Sequence, residues 1–254
     1  MSKILAIINH KGGVGKTTTT INLGASLALK GFKILVVDLD PQTNLTQSFG
    51  KESLERRNIY NAFVDIVKEN KNSLPIENVK ENLDIVPASL DLSASEIELV
   101  NEPGKEFLLK ELLKPIEKNY DYIIVDCPPS LGLLTINALT AASDVIVPVQ
   151  AEYLALKGMM KLLYSIEKVK LRLNKDLSFS GIIITQYDGR VNLHKTAEEQ
   201  ILSSFDNVFK TRIRNNIALA EAQSNQIDIF EHAPKSPGAD DYLSLSDEII
   251  NKLK

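Results

Sequence analysis

A doubly wound α/β fold with a mostly parallel, twisted sheet is what this 254-residue sequence predicts, and three observations carry that expectation. Short apolar runs alternate along the chain with segments whose apolar residues recur at helical spacing, the pattern of parallel strands covered on both faces. A glycine-rich loop separates the first run from the first helical segment. Acidic residues stand at the ends of several runs, where folds of this class gather their chemistry.

Seven runs read as strands: Lys3 to Ile8, Lys33 to Asp38, Leu83 to Pro87, Tyr122 to Asp126, Asp144 to Val149, Ser180 to Thr185 and Val208 to Arg212. Between them, Thr17 to Lys30, Gly132 to Ala142, Leu154 to Leu173, Asn192 to Phe205 and Asp240 to Leu253 carry apolar residues at helical spacing, with Gly31 where a helix C-cap belongs. Lys51 to Asn82 is polar, with a weaker amphipathic patch at Ile59 to Val67, and reads as a surface elaboration. No repeat or linker interrupts the pattern, so one domain over residues 1–254 is expected.

Composition narrows the function classes. With 29 Lys and Arg against 33 Asp and Glu the net charge is -4, which argues against coating nucleic acid by bulk charge and leaves room for a local basic patch. The single Cys127 supports no internal disulfide framework and no metal cluster alone, and it follows an acidic strand end with no activating base in evidence, so packing is its simplest role. His10, His194 and His232 lack metal-ligand spacing. No apolar stretch approaches the roughly 20 residues of a spanning helix, and the short N-terminal run gives way at once to a polar loop, unlike a signal peptide. A cytoplasmic setting is expected.

The loop from Asn9 to Thr18 reads Asn-His-Lys-Gly-Gly-Val-Gly-Lys-Thr-Thr between a strand and a helix. Glycines let backbone N–H groups converge on phosphate oxygens, and the helix start adds positive potential there. A triphosphate site of the P-loop NTPase type follows, built from Lys11, Gly12, Gly13, Val14, Gly15, Lys16, Thr17 and Thr18. Lys16 would neutralise the β- and γ-phosphates and Thr17 would bind Mg²⁺. His10 stands where the usual pattern has glycine, and Lys11 is an added cation. One subunit has little room for two cations on one phosphate tail, so Lys11 is expected to serve a partner's nucleotide in a dimer. A side chain at Gly12 should obstruct that neighbour or the nucleotide.

Lys11 to Thr18 resembles the deviant Walker A motif of the ParA/MinD group of ATPases, and Lys11 matches its signature lysine. Val36 to Gln42, containing Asp38 and Asp40, resembles the group's second motif, and Ile123 to Pro129 its Walker B. Val147 to Tyr153, Tyr187 to Arg190 and Gly238 to Tyr242 extend the likeness over nearly the whole chain, toward the ParA/Soj branch. The resemblance implies ATP and ADP as ligands with Mg²⁺. It implies that Lys11, Lys16 and Asp40 are catalytic, Asp40 orienting the attacking water, and that Thr17, Asp126 and Asp40 form the metal site. Asp38 either joins that site or caps nearby backbone. Ile213 to Ala222 resembles the segment near the adenine, with departures at Arg214, Asn215 and Ala218, and Asn215 stands as the candidate base contact.

The resemblance further implies a homodimer when ATP is bound, nonspecific binding of double-stranded DNA by that dimer, association with the nucleoid, and a ParB-like partner that stimulates hydrolysis. Arg190, Lys195, Arg214 and Lys235 are the candidate DNA contacts, Arg190 and Lys235 leading, against the alternative of an ordinary solvated face. The cargo could be a chromosome, a plasmid or a protein. A MinD-type membrane-surface ATPase is the alternative, but it needs a basic amphipathic tail, and the last helical segment carries Asp240, Asp241, Asp247 and Glu248, so membrane binding is not expected. A reductase like the nitrogenase iron protein would need cluster-binding cysteines, and a tyrosine kinase a tyrosine-rich tail; neither is present.

Overall fold

The computed structural model describes residues 2–52, 56–152 and 155–253, with backbone alone for 155–157. Tyr153 and Leu154, the latter the expected start of the long helix, lie outside the described residues. The described elements run β1 (Lys3–Ile7), α1 (Lys16–Leu29), β2 (Ile34–Asp38), α2 (Asn44–Ser48), α3 (Ile59–Glu69), β3 (Glu77–Lys80), β4 (Leu83–Val86), α4 (Leu92–Glu98), α5 (Leu108–Leu113), β5 (Tyr122–Asp126), α6 (Leu133–Ala141), β6 (Asp144–Gln150), α7 (Ala155–Arg172), β7 (Ser178–Tyr187), α8 (Asn192–Ser204), β8 (Val208–Arg214), α9 (Ile217–Ser224), α10 (Ile229–His232) and α11 (Pro237–Lys252).

The strands form one eight-stranded sheet in the order β3-β4-β2-β5-β1-β6-β7-β8. Every pairing is parallel except β3 with β4. Side-chain alternation divides the core in two. Ile4, Ala6, Leu35 and Val37 face one layer, which takes in Phe63 of α3, Leu109 of α5 and Leu162 of α7. Leu5, Ile7, Ile34 and Val36 face the other, with Leu23 of α1 and Tyr242 and Leu245 of α11. Strands buried on both faces must be apolar at consecutive positions, which is why these runs are continuous rather than alternating.

The segment expected as surface elaboration is part of the body. Ile59, Ala62 and Phe63 are buried beneath α3, whose start is fixed by a capping box between Asn58 and Asn61. β3 extends the sheet by a hairpin onto β4 through Asn82, in the left-handed region at φ 61°. At the opposite edge, Glu248 of α11 accepts from the backbone N–H groups of Lys210 and Thr211 at 2.6 and 3.0 Å, covering the free side of β8. α11 also packs on α1, with Thr19 beside Tyr242 and Ser26 beside Ser246. Its apolar side is therefore core, the role its acidic composition suggested. Among the described residues no helix is long and apolar enough to cross a membrane.

The chain leaves β1 toward β2 on one side and later leaves β5 toward β6 on the other, so the loop after β1 sits at the point where strand order reverses. Open α/β sheets bind ligands at that crevice.

Candidate nucleotide site

The loop after β1 is held through its carbonyls and side chains. Asn9 Nδ2 donates to the Pro148 carbonyl at 2.7 Å while Asn9 Oδ1 accepts from the Lys11 N–H. Thr185 Oγ1 donates to the Val14 carbonyl at 2.8 Å, and Gln186 Nε2 to the Gly13 carbonyl at 2.6 Å. Gly13 and Gly15 stand at φ 73° and 86°, the left-handed turns that a side chain would strain. Gly15 brings no side chain to cap α1, so the first N–H groups of the helix, from Lys16 on, face outward as an anion cradle. Val14 contributes backbone only, because its side chain is buried. A Cβ at Gly12 would meet nothing within 4 Å in this chain, and Gly12 itself lines the cavity.

Lys16, Thr17, Thr18 and Asp40 line one cavity of about 590 Å³ with Gly12, Gly13 and Gly15. Sequence reasoning did not single out the carboxamides around them: Gln42, Asn44 and Gln47 from one wall, Gln186, Gln223 and Gln226 from the other. Gln42, Asn44 and Gln47 follow directly on Asp40, whereas Gln186, Gln223 and Gln226 are brought in from the last third of the chain. A smaller lobe of about 160 Å³ shares Gly15, Thr18, Gln186 and Gln223 with the first and is lined by Asn215, Asn216, Leu219 and Tyr242. Asn215 is thus brought beside the phosphate loop.

Strand register sets the carboxylates. Asp126 pairs with Ile7 on one side and Asp38 on the other. Thr17 Oγ1 donates to Asp126 Oδ2 at 2.7 Å, whereas the buried Asp126 Oδ1 has no hydrogen-bond partner. An orphaned carboxylate oxygen beside a threonine hydroxyl and a triphosphate-sized cavity fits a hard divalent cation such as Mg²⁺. Burial, reinforced by the Asp38 charge, raises the Asp126 carboxyl well above the ordinary range; the Thr17 hydrogen bond and Lys16 oppose that.

Asp38 is fully buried and both its oxygens are committed. Oδ1 accepts from the Asp40 N–H at 3.0 Å, and Oδ2 from the Thr46 N–H and hydroxyl at 2.9 and 2.7 Å. Of the two readings open for it, the geometry is that of a backbone cap: it sets the turn carrying Asp40. Burial lifts its carboxyl from 3.8 to about 6 against these hydrogen bonds. A folded value above the unfolded one means the native state holds a proton the unfolded chain has lost. This contribution is fullest at low pH and declines as pH rises through that window. Relative to Asp38→Asn, which has no such proton, the nucleotide-free protein should lose about 2 kcal/mol of unfolding free energy between about pH 4.5 and 7. Parallel urea unfolding curves at the two pH values measure this, and a constant difference would refute it.

Asp40 is buried on the cavity wall, with Oδ1 fixed by the Gln42 N–H at 3.0 Å. Lys11 lies apart. Its ammonium does not enter the cavity that Lys16 lines; it reaches the other side of the loop, to Glu152 at 2.6 Å and Gln150 at 2.8 Å. Only the Lys11 carbonyl approaches Lys16 Nζ, at 3.4 Å.

The basic residues are contributed by separate elements. Arg190 precedes α8 and is highly exposed, its guanidinium folded back on Asp188 at 2.8 Å. Lys195 in the first turn of α8 and Lys235 before α11 are exposed. Arg214 differs: it is bound to Asp241 at 2.6 and 2.9 Å and to the Pro237 carbonyl at 3.0 Å, and it lines the smaller lobe. Both guanidiniums pair with a carboxylate of the same chain, and Arg190 is by far the more exposed of the two.

A strand, a glycine-rich loop with paired lysines, and a threonine at the start of α1 bonded to the aspartate that ends β5 define a P-loop ATPase of the deviant Walker A class. A family model described as an AAA domain matches residues 2–179. The sporulation initiation inhibitor protein Soj of Bacillus subtilis is 46% identical over 98% of both chains. The chromosome-partitioning ATPase Soj of Treponema pallidum is 43% identical over the same shares. Among solved structures, cobyrinic acid a,c-diamide synthase from Mycobacterium smegmatis with bound ATP analog and magnesium superposes with a TM-score of 0.87 at 33% identity, over 100% of this chain and 96% of that one. The chain belongs to the Soj/ParA family of chromosome-partitioning ATPases.

Proposed function

We propose that the chain works as one folded unit of residues 1–254 and is a nucleotide-driven dimerisation switch. It binds ATP with Mg²⁺, pairs with a second copy across the nucleotides, holds double-stranded DNA nonspecifically as that dimer, and lets go after hydrolysis stimulated by a ParB-like partner. This would place it in the cytoplasm, on the nucleoid while ATP is bound. The observation that carries the reading is the split between the two lysines: Lys16 lines its own cavity, and Lys11 is held outside it, where a second subunit could receive it.

The residues divide the work. Lys16 and the N–H groups at the start of α1 hold the phosphates, and Thr17 with Asp126 would hold Mg²⁺, which supplies charge neutralisation at the γ-phosphate. Asp40, with one oxygen tied to Gln42, orients water, and Asn215 meets the base. Lys11 adds charge from the partner subunit. For DNA, Arg190, Lys195 and Lys235 remain the candidates, a weak half-site that dimerisation doubles. Burial of the apolar side of α11 favours DNA over a lipid surface.

The test compares retention on DNA and on anionic liposomes with ADP, with ATP and for Asp40→Ala. DNA should be held in the ATP state and by the variant with ATP, and released with ADP; liposome binding without DNA binding would defeat the proposal. Arg190→Glu with Lys235→Glu should lower DNA affinity by at least about tenfold at low salt while the ATP dimer persists. Unchanged affinity would move the interface elsewhere.

A further inference from the structure

A continuous chain of hydrogen bonds joins the Lys11 ammonium to the nucleotide cavity. Lys11 Nζ donates to Gln150 Oε1 at 2.8 Å. Gln150 Nε2 donates to Gln186 Oε1 at 2.6 Å and, more weakly, to the Gly13 carbonyl at 3.3 Å. Gln186 Nε2 in turn donates to the Gly13 carbonyl at 2.6 Å. Charge fixes the direction. An ammonium can only donate, so Gln150 must present its oxygen to Lys11 and its amide to Gln186, which must then turn its own amide on the loop.

The two glutamines occupy different ground. Gln186 lines both lobes of the nucleotide cavity, and its backbone sits in the left-handed region at φ 51°, a conformation that residues with side chains hold only under constraint from their surroundings. Gln150 lines neither lobe; it borders a separate cavity of about 340 Å³ with His10, Lys11, Glu152 and Met159. A nucleotide therefore competes for Gln186, and for the Gly13 peptide as the loop turns its N–H groups to phosphate, without touching Gln150 or Lys11.

We propose that Gln150 and Gln186 are positioning residues, a carboxamide relay that keeps Lys11 on Glu152 while the cavity lacks a triphosphate and frees it for the partner subunit when Gln186 turns to the nucleotide. The inference rests on the reading that Lys11 acts in trans. With the relay intact, the half-exposed ion pair to Glu152 is backed by a second acceptor. Without it, Lys11 is held by an ion pair of a kind that contributes little.

The test is sedimentation velocity across a protein dilution series, with Mg²⁺ and saturating AMPPNP, on the full chain. Gln150→Leu removes the acceptor and should lower the dimer dissociation constant by about three- to tenfold. Gln150→Glu keeps an acceptor, adds negative charge beside Lys11 and loses the donor to Gln186; it should raise the constant by a similar factor. A merely structural role moves both variants the same way, so shifts of one sign, or none, overturn the relay. Lys11→Ala is run beside them. If it stays monomeric while the Gln150 variants fail to diverge, the relay falls and the trans reading stands. If Lys11→Ala dimerises like the wild type, both fall.

Discussion

Lys11→Ala should bind Mg·ATP as a monomer within about threefold of the wild type, yet fail to form the ATP dimer and lose about 10²–10³ in turnover. Lys16→Ala, by contrast, should lose nucleotide affinity and turnover together. The reasoning is geometric. Lys16 is buried and lines the cavity of its own subunit, its ammonium 3.4 Å from the Lys11 carbonyl of the phosphate loop. The Lys11 ammonium is spent on Glu152 and Gln150, so removing it takes nothing from the cavity of the chain that carries it. Groups that meet the phosphates only after association affect the assembled state alone. Calorimetric nucleotide titration alongside sedimentation separates the two variants, and equal losses of affinity would show that Lys11 serves its own nucleotide.

Asp40→Ala is expected to lower turnover by about 10²–10⁴ and to leave an ATP dimer that persists. Asp40 is the one cavity-lining carboxylate of the three: Asp38 is consumed by Thr46 and the Asp40 N–H, and one oxygen of Asp126 by Thr17. Its backbone is anchored by Asp38 and one of its oxygens by the Gln42 N–H, which fixes the carboxylate on the cavity wall. Alanine there removes the water's acceptor and leaves the loop, Lys16 and the Thr17–Asp126 pair untouched. Single-turnover hydrolysis and dimer lifetime measure the two halves of the expectation. Rapid hydrolysis by the variant would hand the water to another residue, Gln42 or Gln47 of the same wall being nearest in kind.

Seven strands and the long helices could be read directly because their apolar runs are continuous and their spacing regular. β3 could not: Glu77-Asn78-Val79-Lys80 has no apolar face, and it becomes a strand only because the hairpin at Asn82 lays it on β4. The short helices α2, α4, α5 and α10 are too brief for periodicity to register, and α3, reduced to a weak patch in the reading, owes its place to the three residues it buries against the sheet. The two fates open to Asp38 were separated only by Thr46, eight residues on. Arg214 looked like one more basic residue until Asp241 was found bound to it, 27 residues away.

The phosphate loop was legible in the sequence alone. Strand, glycines, Lys16 and Thr17 are contiguous, so their mutual geometry follows from local backbone preference and the start of one helix. Where Lys11 points was decided only by the tertiary structure. Its partners lie 139 and 141 residues away, at the end of β6, and parallel pairing of β6 beside β1 is what brings them to the loop. No local pattern encodes that distance. The same loop declares a nucleotide by its neighbours in sequence, and its neighbours in space turn Lys11 toward Gln150 and Glu152 and away from the cavity that Lys16 lines.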